Sequence, residues 1–319
     1  MKDSNQCIII TAWEYGAGIQ GTSEGPSSLL NVCKNSQNHP FNHFSVFSIP
    51  QEIDEDEKTP MPKYLKRAIP FIRHQEKHAE LVYNQLKLNK TPIILSGDHS
   101  NAVGGLAGFL RYYGAENSGI VWIDAHLDLH SPYTTPSGNI HGMALNTALN
   151  CDNLQNQVND LDATTIELWE KIKALKNNDQ IQNFKPQNIV FIGIRSFEDA
   201  EIKLTQDLGI HIITANEVHE KGISWAIEKA FTTIQSVNQI YLSFDVDSLD
   251  PKISKGTGTP VENGLDLDQA QELLHYIWNN PKVKTLELTE INPTLESNNE
   301  MATAICALIQ DSFVDSVKF

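Results

Sequence analysis

Four metal-binding or titratable side chains alternate in the stretch WIDAHLDLH, residues 122–130: Asp124, His126, Asp128 and His130. A strand points every second side chain to the same face, so these four would share one face if the backbone stayed extended. Carboxylates and imidazoles placed side by side are costly to desolvate unless a partner compensates for the lost hydration. A cation is the simplest partner. The alternative is a solvated strand face or a turn capped by aspartate side chains.

Further strand-like runs end in the same residue types. PIIL is followed by His99 and VKTLEL by Glu290, while IYLSF is followed by Asp245 and Asp247. Parallel α/β sheets place their functional residues beyond the carboxyl ends of the strands. Chance scatter would also put such residues in helices and at the other strand ends, so we expect them to form one shared site.

The candidate metal ligands combine carboxylates with imidazoles: His99, Asp124, His126, Asp128, Asp245 and Asp247. This set exceeds the need of one ordinary ion, whereas two divalent ions bridged by shared carboxylates would use all of it. The charges agree, because the four aspartates balance two divalent cations. A hard, oxygen-rich set without thiolates favours two Mn²⁺ per chain, with Co²⁺, Fe²⁺ or Ni²⁺ as alternatives, over a structural zinc site.

The elements that must position these residues alternate between short apolar runs and longer helical patterns. The predicted strands, rich in β-branched residues, are 7–11, 92–95, 119–123, 188–194, 210–213, 240–244 and 283–288. The predicted helices are 63–88, 102–113, 163–175, 224–237 and 267–278, with Pro70 kinking or splitting the first. This order predicts one α/β domain over residues 1–319, with a mainly parallel sheet and helices on both faces.

The composition is that of a soluble globular protein, with 40% hydrophobic and 20% charged residues. The formal net charge of −16 disfavours nucleic acid and anionic membranes as partners, because phosphate binding depends on Lys and Arg. No apolar stretch of the sequence approaches the length of a membrane span. The four cysteines, Cys7, Cys33, Cys151 and Cys306, lie far apart and predict reduced thiols in a cytoplasmic protein.

A further histidine pair, His74 and His78, lies in the predicted helix that contains RHQEKHAE. The spacing matches neither the HExxH nor the HxxEH metal motif. We therefore expect these two side chains on a solvated helix face rather than in a metal site.

Blocks along the chain resemble the signatures of the ureohydrolases, the arginase and agmatinase family: SGDHS, WIDAHLD, SGNIHG, SFDVDSLDP, GTGTP and the E-x-N-P of TEINP. The N-terminal GTSEGPSSLL is similar to the family's G-x-x-x-G-P motif, and the blocks keep the family's order over nearly the whole chain. The resemblance implies a three-layer αβα fold, a dinuclear Mn²⁺ centre, and hydrolysis of a guanidino compound to urea and an amine.

The resemblance also implies a role for each residue of the site. One metal would take His99, Asp124, Asp128 and Asp245, and the other His126, Asp124, Asp245 and Asp247. A hydroxide bridging the two metals would attack the guanidinium carbon. Glu290 would hold the guanidinium by charge-assisted hydrogen bonds. Asp128 would carry the proton from the nucleophile to the leaving amine, and His141 would relay protons to solvent.

The loop HLDLHSPYTTPSGNIHG resembles arginases more closely than agmatinases, because it keeps the arginase length and the T-T-x-S-G-N-x-H-G ending. By this resemblance Ser137 and Asn139, with Thr135 nearby, would hold the substrate's α-carboxylate, a group that agmatine lacks. Thr259 in GTGTP matches a family residue at the rim of the active site.

Two segments of the chain depart from the arginase pattern. His130 stands where arginases commonly have Asn, at a position that helps to hold the amino-acid end of the substrate. The segment IGIRSFEDAE stands where they commonly carry R-D-x-D. Ser196 replaces the first Asp, and Glu198, one methylene longer than the second, would be the α-ammonium contact. Selectivity among arginine analogues is therefore the open point.

The expected function is that of an arginase, which hydrolyses L-arginine to L-ornithine and urea in a homo-oligomer, a trimer or hexamer by the resemblance. Agmatinase, guanidinobutyrase and formimidoylglutamase are the alternatives within the family. A metal-binding scaffold without catalysis is an alternative of a different class, but its usual mark would be a lost ligand or proton relay. A deacetylase of similar fold is a further alternative, and the second D-x-D arm argues against it.

Overall fold

Eight strands form one sheet in the computed structural model, which describes residues 5–36, 39–59, 61–176 and 184–314. The strands are β1 Gln6–Thr11, β2 Ser45–Ile49, β3 Thr91–Ser96, β4 Ser118–Ile123, β5 Ile189–Ile194, β6 His211–Thr214, β7 Gln239–Asp245 and β8 Val283–Thr289. Their order in the sheet is β2-β1-β3-β8-β7-β4-β5-β6, and each neighbouring pair is parallel. The predicted parallel sheet is thereby confirmed.

Helices follow most of the strands and return the chain across the sheet. Their bounds are α1 Gly25–Asn35, α2 Ala68–Lys87, α3 Ala102–Tyr113, α4 Ala144–Leu149, α5 Ala163–Ala174, α6 Asp199–Leu208, α7 Ala215–Lys221, α8 Ile223–Thr233, α9 Leu267–Trp278 and α10 Glu300–Val314. Parallel strands need such crossovers, because a tight hairpin can join only antiparallel strands.

Two apolar cores lie on opposite faces of the sheet. Successive strand residues alternate between them, so that Ile8 contributes to one core and Ile9 to the other. The first core takes side chains from α1, α8, α9 and α10, and the second from α2, α3, α4 and α5. This is the three-layer αβα arrangement, and it explains why the strands are almost continuously apolar.

The apolar runs predicted the strands better than the periodic patterns predicted the helices. All of the predicted strands are present, whereas the edge strand β2 was missed because most of its residues face solvent. The predicted helix 63–88 begins only at Ala68, so Pro70 lies in its first turn and does not split it. A proline is tolerated there because the first N–H groups of a helix have no partner within the helix.

The prediction of a solvated face for His74 and His78 was wrong. Both side chains are buried between α2 and the rest of the second core. His74 Nε2 lies 2.9 Å from Thr11 Oγ1, and His78 Nδ1 lies 3.4 Å from Gln75 Oε1. Burial lowers the pKa of His74 to about 4 and that of His78 to about 3. Both imidazoles are therefore neutral at pH 7.

The prediction that all four cysteines are reduced thiols was also wrong. Cys33 on α1 and Cys306 on α10 form a disulfide, whereas Cys7 and Cys151 are free. The two partners are 273 residues apart in the chain, and only the packing of α1 against α10 brings their Cα atoms to 5.6 Å. Among the described residues, no helix combines the length and apolar character that a bilayer crossing requires. The single domain over residues 1–319 stays a prediction.

Candidate metal centre and active site

The sheet order brings the polar strand ends together. Strands β3, β8, β7 and β4 are neighbours at the centre of the sheet, although β8 comes last in the chain. His99 lies just beyond β3, Asp124 just beyond β4 and Glu290 just beyond β8, while Asp245 is the last residue of β7. All four are buried. The predicted shared site therefore lies at the carboxyl edge of the central strands.

The first candidate cation site is centred on the imidazole of His99. Its Nδ1 atom lies 3.1 Å from a carboxylate oxygen of both Asp124 and Asp128. Asp245 Oδ2 lies 3.0 Å from the same nitrogen. Nδ1 is buried and makes no well-oriented hydrogen bond with any of them. A nitrogen and several carboxylate oxygens that converge in this way are the donor set of a divalent cation.

The second candidate site shares Asp124 with the first. His126 Nδ1 lies 3.0 Å from Asp247 Oδ2 and 3.6 Å from Asp124 Oδ1. The other oxygen of Asp124, Oδ2, is the one that faces His99. Within each group, His99–Asp124–Asp245 and Asp124–His126–Asp247, one ligand atom per residue lies within 4.8 Å of the others. The residues fit metal binding, with Asp124 placed to bridge.

The electrostatics of the cluster also favour a bound cation. Burial raises the pKa of Asp245 well above its usual range, and the charges of Asp247 and Asp124 raise it further. Burial would by itself lower the pKa of His99, but the surrounding carboxylates raise it well above its usual range. Carboxylates crowded in a buried space repel each other unless positive charge compensates for them. A divalent cation supplies that charge.

The backbone is strained at two of the predicted catalytic residues. Asp128 has φ of 51° and Glu290 has φ of 67°, which places both in the left-handed region that non-glycine residues rarely adopt. Hydrogen bonds hold both conformations: Leu145 N donates to Asp128 O at 3.2 Å, and Glu290 N donates to Gly97 O at 2.9 Å. Such conformations persist only where the surroundings enforce them, and they cluster at functional sites.

His141 and Glu290 face each other beside the carboxylates. Glu290 Oε1 accepts a hydrogen bond from His99 N at 2.8 Å and lies 3.7 Å from His141 Nδ1. Burial would lower the pKa of His141, but Glu290 and then Asp128 raise it to about 9. The imidazole is therefore protonated at neutral pH, so it can donate a proton.

His130 and Glu198 form a pair at the edge of the site. His130 Nε2 lies 3.1 Å from Glu198 Oε2, and Glu201 Oε2 lies 3.5 Å from the same nitrogen. Glu198 precedes α6 and forms a capping box with Glu201. Sequence reasoning missed the buried Glu201, because the usual signal of such a box has Ser or Thr at the first position, where this chain has Glu198.

The predicted α-carboxylate contacts lie in one loop before α4. Thr135 is buried, and its Oγ1 accepts hydrogen bonds from Ser137 N at 3.3 Å and Gly138 N at 3.0 Å. Ser137 is exposed and Asn139 is half-buried. Thr135 thus organises the loop that presents the other two. Thr259, predicted at the rim, donates to Asp247 Oδ2 at 2.9 Å and so supports a candidate ligand.

A layer of residues behind the candidate ligands was missed by sequence reasoning. Trp122 stacks on His99 with 4.2 Å between ring centroids, and its Nε1 donates to Asp124 Oδ2 at 2.9 Å. His99 Nε2 lies 2.8 Å from Ser243 Oγ, which donates to Glu287 Oε2 at 3.2 Å. A charged residue inside the buried strand β8 was the signal in the sequence for Glu287.

Fold and site together define an αβα protein with a buried histidine and carboxylate centre that could hold metal. The Arginase family model matches residues 5–314. Arginase from Bacillus caldovelox is 32% identical over 309 residues, which cover 96% of this chain and 97% of the relative. Arginase from Bacillus subtilis is 28% identical over 313 residues, 97% of each chain. The structure of Entamoeba histolytica arginase in complex with L-ornithine superimposes with a TM-score of 0.80 at 25% identity, covering 98% of this chain and 99% of that one.

The chain belongs to the arginase family. It is a hydrolase of the ureohydrolase type, and the family predicted from the sequence blocks is confirmed.

Proposed function

We propose that this protein is an arginase that hydrolyses L-arginine to L-ornithine and urea with two Mn²⁺ ions per chain. One observation carries the proposal: two histidine and carboxylate clusters share Asp124 beside the buried Glu290. Relatives over nearly the whole chain bear the name arginase, which supports the same conclusion.

The metal ligands would be the residues of the two clusters. One ion would be held by His99, Asp124, Asp128 and Asp245, and the other by His126, Asp124, Asp245 and Asp247. The oxygen-rich donor set favours Mn²⁺, with Co²⁺ as the alternative. Divalent cations in such a site supply Lewis acidity and lower the pKa of water, so that a nucleophile exists at neutral pH.

Glu290 would bind the guanidinium group of the substrate. A carboxylate offers about four acceptor positions, so Glu290 keeps capacity for a guanidinium while it accepts from His99 N. Asp128 would accept the proton of the nucleophile and pass it to the leaving amine. His141, protonated at neutral pH, would exchange protons with solvent, since its side chain is 22% exposed.

The amino-acid end of the substrate would lie between two groups of residues. Ser137 and Asn139, in the loop that Thr135 organises, would bind the α-carboxylate. Glu198 would bind the α-ammonium group. His130 would compete with that group for the carboxylate, because His130 Nε2 lies 3.1 Å from Glu198 Oε2. Thr259 would act through Asp247.

The His130–Glu198 pair favours one second candidate. A carboxylate already paired with an imidazole is a poorer acceptor for an ammonium group. A guanidino acid without the α-amino group, such as 4-guanidinobutyrate, would not need that contact. Guanidinobutyrase activity is therefore the second candidate. The homo-oligomer, a trimer or hexamer, and the cytoplasmic location stay predictions.

A substrate panel tests the proposal directly. The Mn²⁺-loaded protein is assayed for urea release from L-arginine, agmatine and 4-guanidinobutyrate, and for formamide release from formiminoglutamate. We expect the highest kcat/KM with L-arginine. A higher kcat/KM with agmatine would refute the arginase assignment. A higher kcat/KM with 4-guanidinobutyrate would also refute it and would support guanidinobutyrase activity, the second candidate. Metal analysis that finds clearly one ion per chain would refute the dinuclear centre.

A further inference from the structure

A lysine that no sequence motif indicated lies against the predicted carboxylate contacts. Lys66 belongs to the loop before α2, and its Nζ donates a hydrogen bond to Asn139 Oδ1 at 3.1 Å. Its backbone N–H donates to Gly138 O at 3.0 Å. Lys66 is half-buried. It is therefore held against the 135–139 loop at both its backbone and its ammonium group.

The two loops approach each other too closely for Lys66 to be an incidental neighbour. Gly138 has φ of 78°, and a Cβ atom at this position would lie 2.1 Å from Lys63 O. Only glycine permits this backbone conformation and this contact together. The adjacent Arg67 is engaged elsewhere, because its guanidinium donates to the carbonyl oxygens of Lys58 and Tyr15. Lys66 is thus the cation that this loop directs at Asn139.

The hydrogen bond also determines which end of the Asn139 amide is available. Lysine can only donate, so its partner must be the amide oxygen. The Nδ2 group of Asn139 then lies on the other side, where a Cβ atom on Gly18 would be 3.0 Å from it. A carboxylate ligand needs donors, and Nδ2 is a donor. Lys66 therefore presents Asn139 in the orientation that suits a carboxylate.

The charges around the site favour a cation beside the carboxylate of such a substrate. Glu290 and Glu198, which we propose as substrate contacts, are both carboxylates, whereas the two divalent cations would balance the four aspartates of the candidate metal ligands. A carboxylate that approaches this acidic surface is repelled unless positive charge lies close to it. Lys66 places that charge 3.1 Å from Asn139 Oδ1.

We propose that Lys66 is a specificity-determining residue, which selects guanidino substrates with a carboxylate at the end remote from the guanidinium. It orients the Asn139 amide and lowers the electrostatic cost of binding the carboxylate. The inference rests on the proposed function, since it concerns the amino-acid end of the same substrate.

The test compares substrates and ligands that differ only at the carboxylate. Lys66→Met keeps the side-chain stem and the backbone hydrogen bond to Gly138. Lys66→Arg keeps the charge. Lys63→Met is the matched control, because Lys63 Nζ donates to Tyr64 OH in the same loop. Each Mn²⁺-loaded variant is assayed with L-arginine and L-argininamide, and the binding of L-ornithine and putrescine is measured by calorimetry.

We expect Lys66→Met to raise KM for L-arginine about tenfold, the effect of losing one charge-assisted interaction, with kcat within about twofold of the wild type. KM for L-argininamide and the affinity for putrescine should stay unchanged, while L-ornithine binds about tenfold more weakly. Lys66→Arg should keep KM for L-arginine and the affinity for L-ornithine close to the wild-type values. Lys63→Met should change neither quantity.

The inference would be overturned if Lys66→Met raised KM equally for L-arginine and L-argininamide. It would also be overturned if Lys66→Met left the kinetics with L-arginine unchanged. A wild-type protein that releases no urea but binds L-ornithine with the expected dependence on Lys66 would refute the proposed function and support the inference. A wild-type protein that binds L-ornithine no better than putrescine would refute the role of Lys66.

Discussion

Removing the hydroxyl of Ser243 should weaken metal binding without touching a ligand. Ser243 donates to the buried Glu287, so its oxygen must accept from the Nε2–H of His99, 2.8 Å away. This arrangement keeps a proton on Nε2, so Nδ1, which is directed at Asp124, Asp128 and Asp245, is the nitrogen that gives up its proton when a cation binds. A neutral imidazole with a free Nδ1 is the form that binds metal, so Ser243 selects the tautomer that the metal requires.

The magnitude for Ser243→Ala follows from the two hydrogen bonds that disappear. Loss of a partner behind a ligating histidine typically reduces metal affinity about 10- to 100-fold. The unfolding free energy should fall by about 1–3 kcal/mol, because His99 Nε2 and Glu287 are buried and each loses a partner. We expect kcat at saturating Mn²⁺ to stay close to that of the wild type, since no group that contacts the substrate changes.

The assay is urea release as a function of free Mn²⁺, combined with calorimetric titration of the metal-free protein. Ser118→Ala is the matched control, because Ser118 is also buried and its hydroxyl donates to Gly114 O at the opposite end of the sheet. The reasoning is refuted if Ser243→Ala requires no more Mn²⁺ than the wild type. It is equally refuted if Ser118→Ala shifts the Mn²⁺ requirement as far.

Three further predictions concern proton transfer, selectivity and acid stability. Asp128→Asn should abolish urea release while the circular dichroism spectrum stays unchanged, and retained turnover would remove Asp128 from the mechanism. His130→Asn should release Glu198 and lower KM for L-arginine several-fold in steady-state assays; an unchanged or higher KM would show that the pair does not limit binding. The pKa of His74 is lowered by burial from 6.5 to about 4, so below pH 6.5 the unfolded chain binds its proton first and stability falls as the pH falls. As the pH falls from 6.5 toward 4, the free energy of unfolding measured by urea denaturation should fall by up to about 3 kcal/mol more for the wild type than for His74→Asn. Parallel pH profiles of the two proteins would contradict the burial argument.

The sequence predicted the fold class and the candidate ligands for a definite physical reason. A parallel strand buried on both faces must be apolar along its length, and its functional residues can only follow its carboxyl end. His99, Asp124 and Asp245 stand at such ends, so their types and positions already indicated one shared site. The order of the family blocks then indicated the arginase family, which the family match confirms.

Local sequence patterns could not predict the secondary-structure elements and residue contacts that depend on parts of the chain distant in sequence. The edge strand β2 is too exposed to show an apolar run. His74 was expected at the surface because a helix alone does not reveal what packs against it. Cys33 and Cys306 meet only because α1 packs against α10. In each case the deciding contact joins residues that lie far apart in the chain.

The sequence by itself determined the parallel α/β architecture, the ligand types and the family. Only the tertiary structure decided which strands are neighbours, and therefore that β8 places Glu287 beside Ser243 and behind His99. It also decided that Lys66 meets Asn139 and that His130 meets Glu198. Ligand identity follows from chemistry that each residue carries alone, whereas orientation, protonation and selectivity arise from neighbours that only the folded chain supplies.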